Sequence, residues 1–181
     1  MTQTSGEPPT DAPTDAESIP RIGPVTRWLD EDQQRSWRAL VMGTTLLMDR
    51  LDADLRASFR VSLTEYEILV RLSEQPGRRM RMAQLADAMC HSRSRVTHTV
   101  QRMEDAGYLE RIMSPEDGRG ILASMTDAGH TLLERAAHVH VSGVRANLVD
   151  LVSDDDFAAL GRAMNSVADH LVSRHPAAEI R

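Results

Sequence analysis

The sequence predicts a mainly α-helical protein that carries one small β-hairpin. Of its 181 residues, 41% are apolar but only 3% are aromatic. The core must therefore be built from aliphatic side chains and methionine, which suits helices better than a β-sandwich. Apolar residues recur at steps of three and four in most segments, and two short alternating runs flank a turn rich in Pro, Asp and Gly.

The first segment, residues 1–25, is predicted to be a disordered acidic and proline-rich tail, either an inert extension or a regulatory one. It holds five of the eight prolines, and it has too little apolar surface to offset chain entropy. We see no signal peptide, and no stretch approaches the ~20 apolar residues that span a bilayer. A cytoplasmic location and no membrane partner are therefore expected.

A long dimerisation helix is predicted within residues 28–60, from about Asp30 to Phe59. Asp30 and Gln33 have the spacing of a capping box at its start. A helix of about 28 residues is longer than a small domain needs, and helices of this length often reach into a partner subunit. Its predicted inward stripe comprises Trp37, Leu40, Val41, Thr44, Leu47, Met48, Leu51 and Leu55.

Three short helices are predicted next. The first is amphipathic, with Thr64 and Glu67 at capping-box spacing, and it stops before a Gln-Pro-Gly turn. The second covers residues 82–89. A tight turn separates it from the third helix, for which Ser92 is the expected N-cap and Gly107 the left-handed C-cap.

Two alternating runs, residues 108–113 and 121–125, predict a β-hairpin directly after these helices. A hairpin in this position is a wing. The predicted fold class is therefore a winged helix-turn-helix, mainly α with a small β-hairpin wing, and the helix-turn-helix region spans residues 63–125.

Two C-terminal dimerisation helices are expected over residues 126–172, followed by a flexible C-terminus over residues 173–181. Thr126 is the expected cap of the first helix and Ser153 that of the second. Each helix carries an apolar stripe at helical spacing. The stripes comprise Leu132, Leu133, Ala136, Val139, Val144, Leu148 and Leu151, and then Phe157, Leu160, Met164, Val167 and Leu171.

Positive charge is concentrated around the third short helix. The chain has a net charge of −6, and all 21 of its basic residues are arginine. Residues 78–103 nevertheless carry six arginines against one acid, Asp87. A local basic patch is what phosphate binding requires, and guanidinium groups suit bidentate contacts with phosphate and guanine.

The exposed face of the helix that follows Ser92 predicts DNA recognition. With Val96, Val100 and Met103 facing inward, the outward residues are arginines and short hydrogen-bonding side chains. They cluster in the first two turns, where a recognition helix meets base edges in the major groove. A merely solvated face would mix acids with bases. The candidate DNA-binding residues are Ser92, Arg93, Ser94, Arg95, Thr97, His98, Gln101 and Arg102.

The tip of the hairpin supplies a second candidate contact. Arg119 on a wing can enter the minor groove, where the negative potential is strongest. Asp117, two residues earlier, is placed to support it through a charge-assisted hydrogen bond. The alternative interpretation is an exposed turn ion pair worth less than ~1 kcal/mol.

These segments resemble the MarR family of bacterial regulators, over about residues 28–172. The runs that carry the resemblance are Leu85–Ala88 (LADA), Ser92–Thr97 (SRSRVT), Gln101–Arg111 (QRMEDAGYLER), Asp117–Gly120 (DGRG) and Thr126–Gly129 (TDAG).

The resemblance implies a homodimer with interlocked terminal helices, in which each subunit presents one winged helix-turn-helix to half of a pseudo-palindromic operator. Members are mostly repressors, and many release double-stranded DNA when a small phenolic or anionic effector binds. The DNA contacts that the resemblance implies are Ser92, Arg93, Ser94, Arg95, Thr97 and Arg102, with Arg119 as the wing arginine. His98 stands where many members have arginine, which removes one contact or makes it pH-dependent.

A ligand pocket, as the resemblance implies it, would be lined by Trp37, Arg38, Met48 and Tyr66. The alternative interpretation of each residue is core or dimer packing. The sequence does not identify the ligand.

Cys90 is the only cysteine, and we interpret it as a buried packing residue. The alternative is a redox-responsive regulator acting through the Cys90 thiol, which needs an exposed and electropositive setting. Relatives that sense oxidants carry their cysteine near the start of the first long helix, where this chain has none.

Other classes of function find little support in the sequence. His130, Glu134, His138 and His140 lack the HExxH spacing, so neither a metal nor a cofactor is expected. There is no phosphate-binding glycine loop, nucleophile elbow or paired-carboxylate motif, so an enzyme is not expected. The remaining alternative is a helical protein-interaction dimer without DNA specificity, whose recognition face should expose Leu, Phe or Trp.

Overall fold

The computed structural model describes residues 26–114, 118 and 120–173. This part of the chain forms six α-helices, as the sequence predicts, and one three-stranded sheet, which adds a strand to the predicted hairpin. Their order is α1 (Glu31–Phe59), α2 (Leu63–Ser73), β1 (Arg79–Arg81), α3 (Met82–Ala88), α4 (Arg93–Asp105), β2 (Leu109–Met113), β3 (Ile121–Met125), α5 (Asp127–Asn147) and α6 (Asp154–Ser173). No helix in this part is long and apolar enough to cross a membrane. The predicted tail and most of the predicted C-terminal segment lie outside the described residues.

The chain divides into two compact units, and the boundary falls inside α1, between Ala39 and Leu40. In the first unit, the start of α1 is capped reciprocally. The Asp30 amide donates to Gln33 Oε1 at 3.1 Å, and the Gln33 amide donates to Asp30 Oδ1 at 2.8 Å. The predicted capping box at this helix start is confirmed.

The core of the second unit is aliphatic, and it holds the helix-turn-helix against the end of α1 and the start of α5. Full burial of one such side chain contributes roughly 1.5–3 kcal/mol, so these contacts fix the position of α4. The residues with no exposed surface are Leu55, Ile68, Leu69, Leu72, Leu85, Val100 and Ala123.

The sheet has the strand order β1-β3-β2, and both pairs are antiparallel. In the hairpin, Leu109 pairs with Met125 and Met113 pairs with Ile121, which confirms the predicted wing strands. The sequence analysis did not predict β1. It is only three residues long, and its sequence Arg-Met-Arg is too short to show a strand period.

The predicted capping box at the start of α2 is wrong. The cap is Ser62, whose hydroxyl accepts from the Glu65 amide at 3.2 Å and whose own amide donates to Glu65 Oε2 at 2.8 Å. Thr64 therefore lies inside the first turn of the helix. The physical reason is an anchor on α1, because Asp52 Oδ1 accepts from the Leu63 amide at 2.8 Å and fixes where α2 begins.

The other predicted caps are confirmed. The side chains of Ser92, Thr126 and Ser153 each accept a hydrogen bond from the amide three residues later, at 3.3, 3.1 and 3.1 Å. Gly107 follows the end of α4 with φ of +78°, as the left-handed C-cap requires.

The helix α6 exposes its entire predicted apolar stripe in the single chain. The exposed fractions run from 37% at Leu160 to 54% at Leu171. The second-unit part of α1 likewise exposes Met42 and Leu46. Apolar stripes of this length are seldom left in water by a monomeric protein.

Candidate nucleic-acid interface

The helix α4 turns one face to the core and the opposite face to solvent. Val96, Val100 and Met103 are at most 2% exposed, which confirms that they face inward. Thr99 is also buried, and its hydroxyl donates to the Arg95 carbonyl at 3.0 Å. The exposed candidate residues are Ser92, Arg93, Ser94, Arg95, Thr97, His98 and Arg102.

The start of α4 combines positive charge with unsatisfied donors. Its first turn contains no acid, and the helix dipole adds a partial positive charge at this end. In the described part of the chain, Arg93 and Arg95 form no ion pair. Their guanidinium donors are therefore available to a phosphate or to a base edge.

Gln101 is less exposed than the other candidates on α4, and its contact with DNA stays a prediction. The residue is half-buried, its amide nitrogen donates to Asp105 Oδ1 at 2.9 Å, and its amide oxygen accepts from Arg111. Arg111 also pairs with Glu104 at 2.6 Å. The side chain of Gln101 is thus held within a polar cluster that joins α4 to β2.

Arg102 is held by an acid that lies 37 positions away in the sequence. Its Nη2 and Nε lie 3.3 and 3.4 Å from Glu65 Oε1. The side chain of Arg102 is 60% exposed, whereas that of Glu65 is 13% exposed. Sequence reasoning missed Glu65. The sequence signal that could have identified Glu65 is its capping-box spacing from Ser62. The sequence analysis instead predicts the capping box at Thr64 and Glu67, two residues later.

A groove of about 400 Å³ runs between α4 and the junction of α1 with α2. Burial alone would raise the pKa of Asp52 in this groove. Hydrogen bonds from Arg56, at 2.5 Å, and from the Leu63 amide outweigh that effect and lower the pKa below its ordinary value. One wall of the groove therefore carries the Asp52–Arg56 ion pair, and the opposite wall, on α4, carries Arg95 and Arg102. The residues that line the groove are Asp52, Arg56, Ser62, Thr64, Arg95, His98, Thr99 and Arg102.

The turn between α3 and α4 corrects the interpretation of Cys90. The residue is exposed and has φ of +51°, so it turns the chain and is not a buried packing residue. The next residue, His91, is half-buried. Burial lowers its pKa below the ordinary value, and the nearby charge of Arg95 lowers it further.

The base of the wing is basic as well. Arg79 and Arg81 lie on β1, which pairs with the wing strand β3. Arg81 Nη2 donates to Ser114 Oγ at 3.4 Å. The predicted wing contact Arg119 and its support Asp117 lie outside the described residues.

Of the four candidate ligand residues, Tyr66 lines a cavity. This cavity of about 220 Å³ is formed by Tyr66, Glu67, Val70, Arg71 and His140. The Tyr66 and His140 rings lie 4.6 Å apart. Burial raises the pKa of Tyr66 and lowers that of His140, so both rings are neutral at neutral pH.

The other three candidate ligand residues lie on α1. Met48, in the second unit, is 41% exposed, and it does not line the Tyr66 cavity. Trp37 and Arg38 belong to the first unit. There Trp37 is 58% exposed, and Arg38 donates to Gln34 at 3.2 Å.

The three histidines of α5 have different surroundings and do not form one cluster. His130 Nδ1 lies 3.6 Å from Glu134, His138 is exposed, and His140 packs on Tyr66. Among the residues that the structure describes, no group of three or more His, Cys, Asp or Glu side chains is placed to hold a metal ion.

Comparison with known proteins links this architecture to one family. The MarR family model matches residues 61–121. The structure is similar to that of AbsC, a MarR family transcriptional regulator from Streptomyces coelicolor. Sequence identity is 38%, coverage is 82% of this chain and 99% of that one, and the TM-score is 0.78.

Two further relatives agree with this assignment. Sco3205, a MarR family transcriptional regulator from Streptomyces coelicolor solved in complex with DNA, is 38% identical over 82% of this chain and 93% of its own, with a TM-score of 0.79. The HTH-type transcriptional regulator PecS of Dickeya dadantii is 28% identical over 139 residues, which are 74% of this chain and 83% of PecS. The chain belongs to the MarR family of transcriptional regulators.

Proposed function

We propose that this regulator is a repressor that binds a pseudo-palindromic operator in double-stranded DNA. The observation that carries the proposal is the exposed face of α4, where Arg93, Ser94, Arg95, Thr97 and His98 lie next to one another at the start of the helix. This end of a recognition helix enters the major groove in helix-turn-helix proteins. The face carries no exposed Leu, Phe or Trp, which argues against a purely protein-binding helix.

The regulator acts as a homodimer in this proposal. The exposed stripe of α6, from Phe157 to Leu171, supports it, because a second copy of the same stripe can cover it across a two-fold axis. A dimer of this kind places two recognition helices roughly 34 Å apart, one turn of DNA. Arg119, on the wing that follows α4, supplies a minor-groove contact.

A gel-shift titration tests DNA recognition. Purified protein is titrated against duplex from the intergenic region upstream of its own gene, with random duplex of equal length as competitor. A discrete shift that survives the competitor supports a sequence-specific operator. If neither this duplex nor any duplex selected from a random library is preferred over bulk DNA, the proposal is wrong.

The effector in this proposal is a single-ring phenolic acid that binds in the Tyr66 cavity. The cavity volume is about 220 Å³, whereas sites for drug-sized ligands begin at roughly 300 Å³. The cavity therefore has room for a ligand with a single ring. The neutral rings of Tyr66 and His140 line the cavity. The positive charge comes from the guanidinium of Arg71, whose Nη1 also lies 3.6 Å from Glu74 Oε2. His140 Nδ1 is buried and has no partner among the described residues, so it can bond a ligand hydroxyl.

The effector site is tested with benzoate and phenol as a charged and a neutral probe. We expect Arg71→Gln to weaken the release of DNA by benzoate and to leave the response to phenol and the operator affinity unchanged. Arg50→Gln is the matched control, because Arg50 pairs with Asp54 on α1 and does not line this cavity. Equal responses of the two variants to benzoate would exclude Arg71 from the site.

A further inference from the structure

We propose that Glu65 is a positioning residue that determines how specifically the recognition helix reads DNA. The inference rests on the proposed function. Glu65 lies on α2, outside the recognition helix, and it holds the guanidinium of Arg102 on α4. The effect of Glu65 on the choice of DNA sequence is therefore exerted through Arg102.

The Glu65 carboxylate is itself immobilised before it meets Arg102. Its Oε2 accepts from the amide and from the hydroxyl of Ser62, both at 2.8 Å. Its Oε1 is left to accept from Arg102 Nε and Nη2. An exposed ion pair normally leaves a long side chain free to rotate. Here the acceptor is fixed by a helix cap and is nearly buried, so it restricts the rotation of Arg102.

The held guanidinium remains usable. Arginine has five N–H donors, and the contact with Glu65 engages only Nε and Nη2. The side chain is 60% exposed, so the remaining donors can reach an acceptor. Arg95, His98 and Arg102 recur at helical spacing and line the same groove. Arg102 thus extends the exposed basic face of α4 by one turn, in a fixed orientation.

Glu65 also places a negative charge beside the DNA-binding face. Phosphate attraction is independent of sequence and supplies most of the non-specific affinity. A carboxylate at this position weakens binding to any duplex. The oriented Arg102 recovers the loss only where the duplex presents its acceptor at the right place. A loss common to all duplexes leaves the ratio of specific to random affinity unchanged, so it is the oriented Arg102 that raises this ratio.

Glu65→Gln separates these effects from a role in folding. Glutamine can occupy the same position of a capping box, so the start of α2 is preserved while the charge is removed. Operator duplex is obtained by selection from a random-sequence library, and affinities for it and for random duplex are measured at one salt concentration. We expect weaker specific binding, stronger random binding and a specificity ratio reduced roughly tenfold, the size of one well-oriented contact.

Two control variants make the test decisive. Glu74→Gln removes a carboxylate that pairs with Arg71 on the same helix, and it should leave the ratio unchanged. In an Arg102→Ala background, Glu65→Gln should no longer reduce the ratio. A reduction that persists in that background overturns the inference, as does a single variant that shifts both affinities by the same factor.

Failure of the inference is distinguishable from failure of the proposed function. A wild-type protein that prefers no selected duplex overturns both. A wild-type preference that Glu65→Gln leaves intact overturns the inference alone. A lowered melting temperature with both affinities reduced together would assign Glu65 to folding only, and this outcome also contradicts the proposal.

Discussion

The backbone carbonyl of Tyr108 leaves no room for a side chain at Gly129. A Cβ atom at Gly129 would lie 2.2 Å from that oxygen. Thr126 joins the same two residues, since its hydroxyl lies 3.1 Å from the Tyr108 carbonyl and accepts from the Gly129 amide at 3.1 Å. The first turn of α5 is thereby packed against the chain that leads into the wing.

We expect Gly129→Ala to destabilise the protein by roughly 3 kcal/mol or more, because the atom that must move belongs to the backbone. Ala128→Gly, at an exposed position in the same turn, should cost about 1 kcal/mol or less. Urea unfolding followed by circular dichroism measures both variants. Similar values for the two would contradict this account of Gly129.

Cys90 should be replaceable by glycine with a gain in stability. Its φ of +51° lies in the left-handed region, which costs an L-residue roughly 1–2 kcal/mol. Part of this gain is lost to the larger entropy of glycine in the unfolded chain. We expect Cys90→Gly to raise the free energy of unfolding by about 0.5–1 kcal/mol, while Cys90→Ala gives no gain. If Cys90→Gly lowers the free energy of unfolding, the prediction is wrong and the Cys90 thiol makes a stabilising contact.

Arg95→Ala should weaken operator binding by ~1–3 kcal/mol and relax sequence choice, as expected for loss of a base contact. Arg135→Ala, which removes the same charge from α5, where Arg135 stacks on Phe59, is the control. The measurement is a titration against operator and random duplex. Equal losses on both duplexes would make Arg95 a phosphate contact only.

Arg119→Ala should reduce the magnitude of the slope of log affinity against log salt by about 2 on the operator, because each of the two subunits of the dimer loses one phosphate contact. The affinity is measured over a series of salt concentrations. A slope equal to that of the wild type would show that Arg119 does not contact a phosphate.

The burial of His140 should make stability depend on pH. Burial lowers its pKa in the folded protein below the ordinary value of 6.5, so the folded state disfavours the charged ring. The stabilisation of the neutral ring is complete above 6.5 and is lost as the pH falls through the folded pKa.

Unfolding by urea near pH 7.5 and near pH 5 tests this effect. His140→Asn should lose stability at the higher pH but show a smaller further loss on acidification than the wild type. His138→Gln, at an exposed position on the same helix, should behave as the wild type does. A wild-type and a His140→Asn protein with the same pH dependence would contradict the prediction.

The sequence was sufficient where a repeating pattern carried the information. The inward face of α4 follows from the spacing of Val96, Val100 and Met103, and the hairpin follows from alternation on either side of a turn. These are local features, because each residue is judged against neighbours within one or two turns.

Features that depend on distant contacts were missed or misassigned. The pair of Arg102 with Glu65 joins positions 37 apart, and no period links them. The Ser62 and Thr64 capping boxes have identical spacing, and only the contact of Asp52 with the Leu63 amide selects the first. Cys90 is exposed in a turn with φ of +51°, and a side-chain pattern does not encode that backbone angle.

The hydrogen bond from the Leu63 amide to Asp52 connects the last turns of α1 to the proposed DNA-binding face of α4. From Asp52 the connection passes to the cap of α2, then through Glu65 to Arg102. The first two contacts measure 2.8 Å and the last measures 3.3 Å. A shift of α1 relative to α2 by a fraction of an ångström therefore alters the angle at which Arg102 is presented. If Glu65 positions Arg102 as proposed, substitutions along α1 change which bases the protein prefers without changing any residue of the recognition helix.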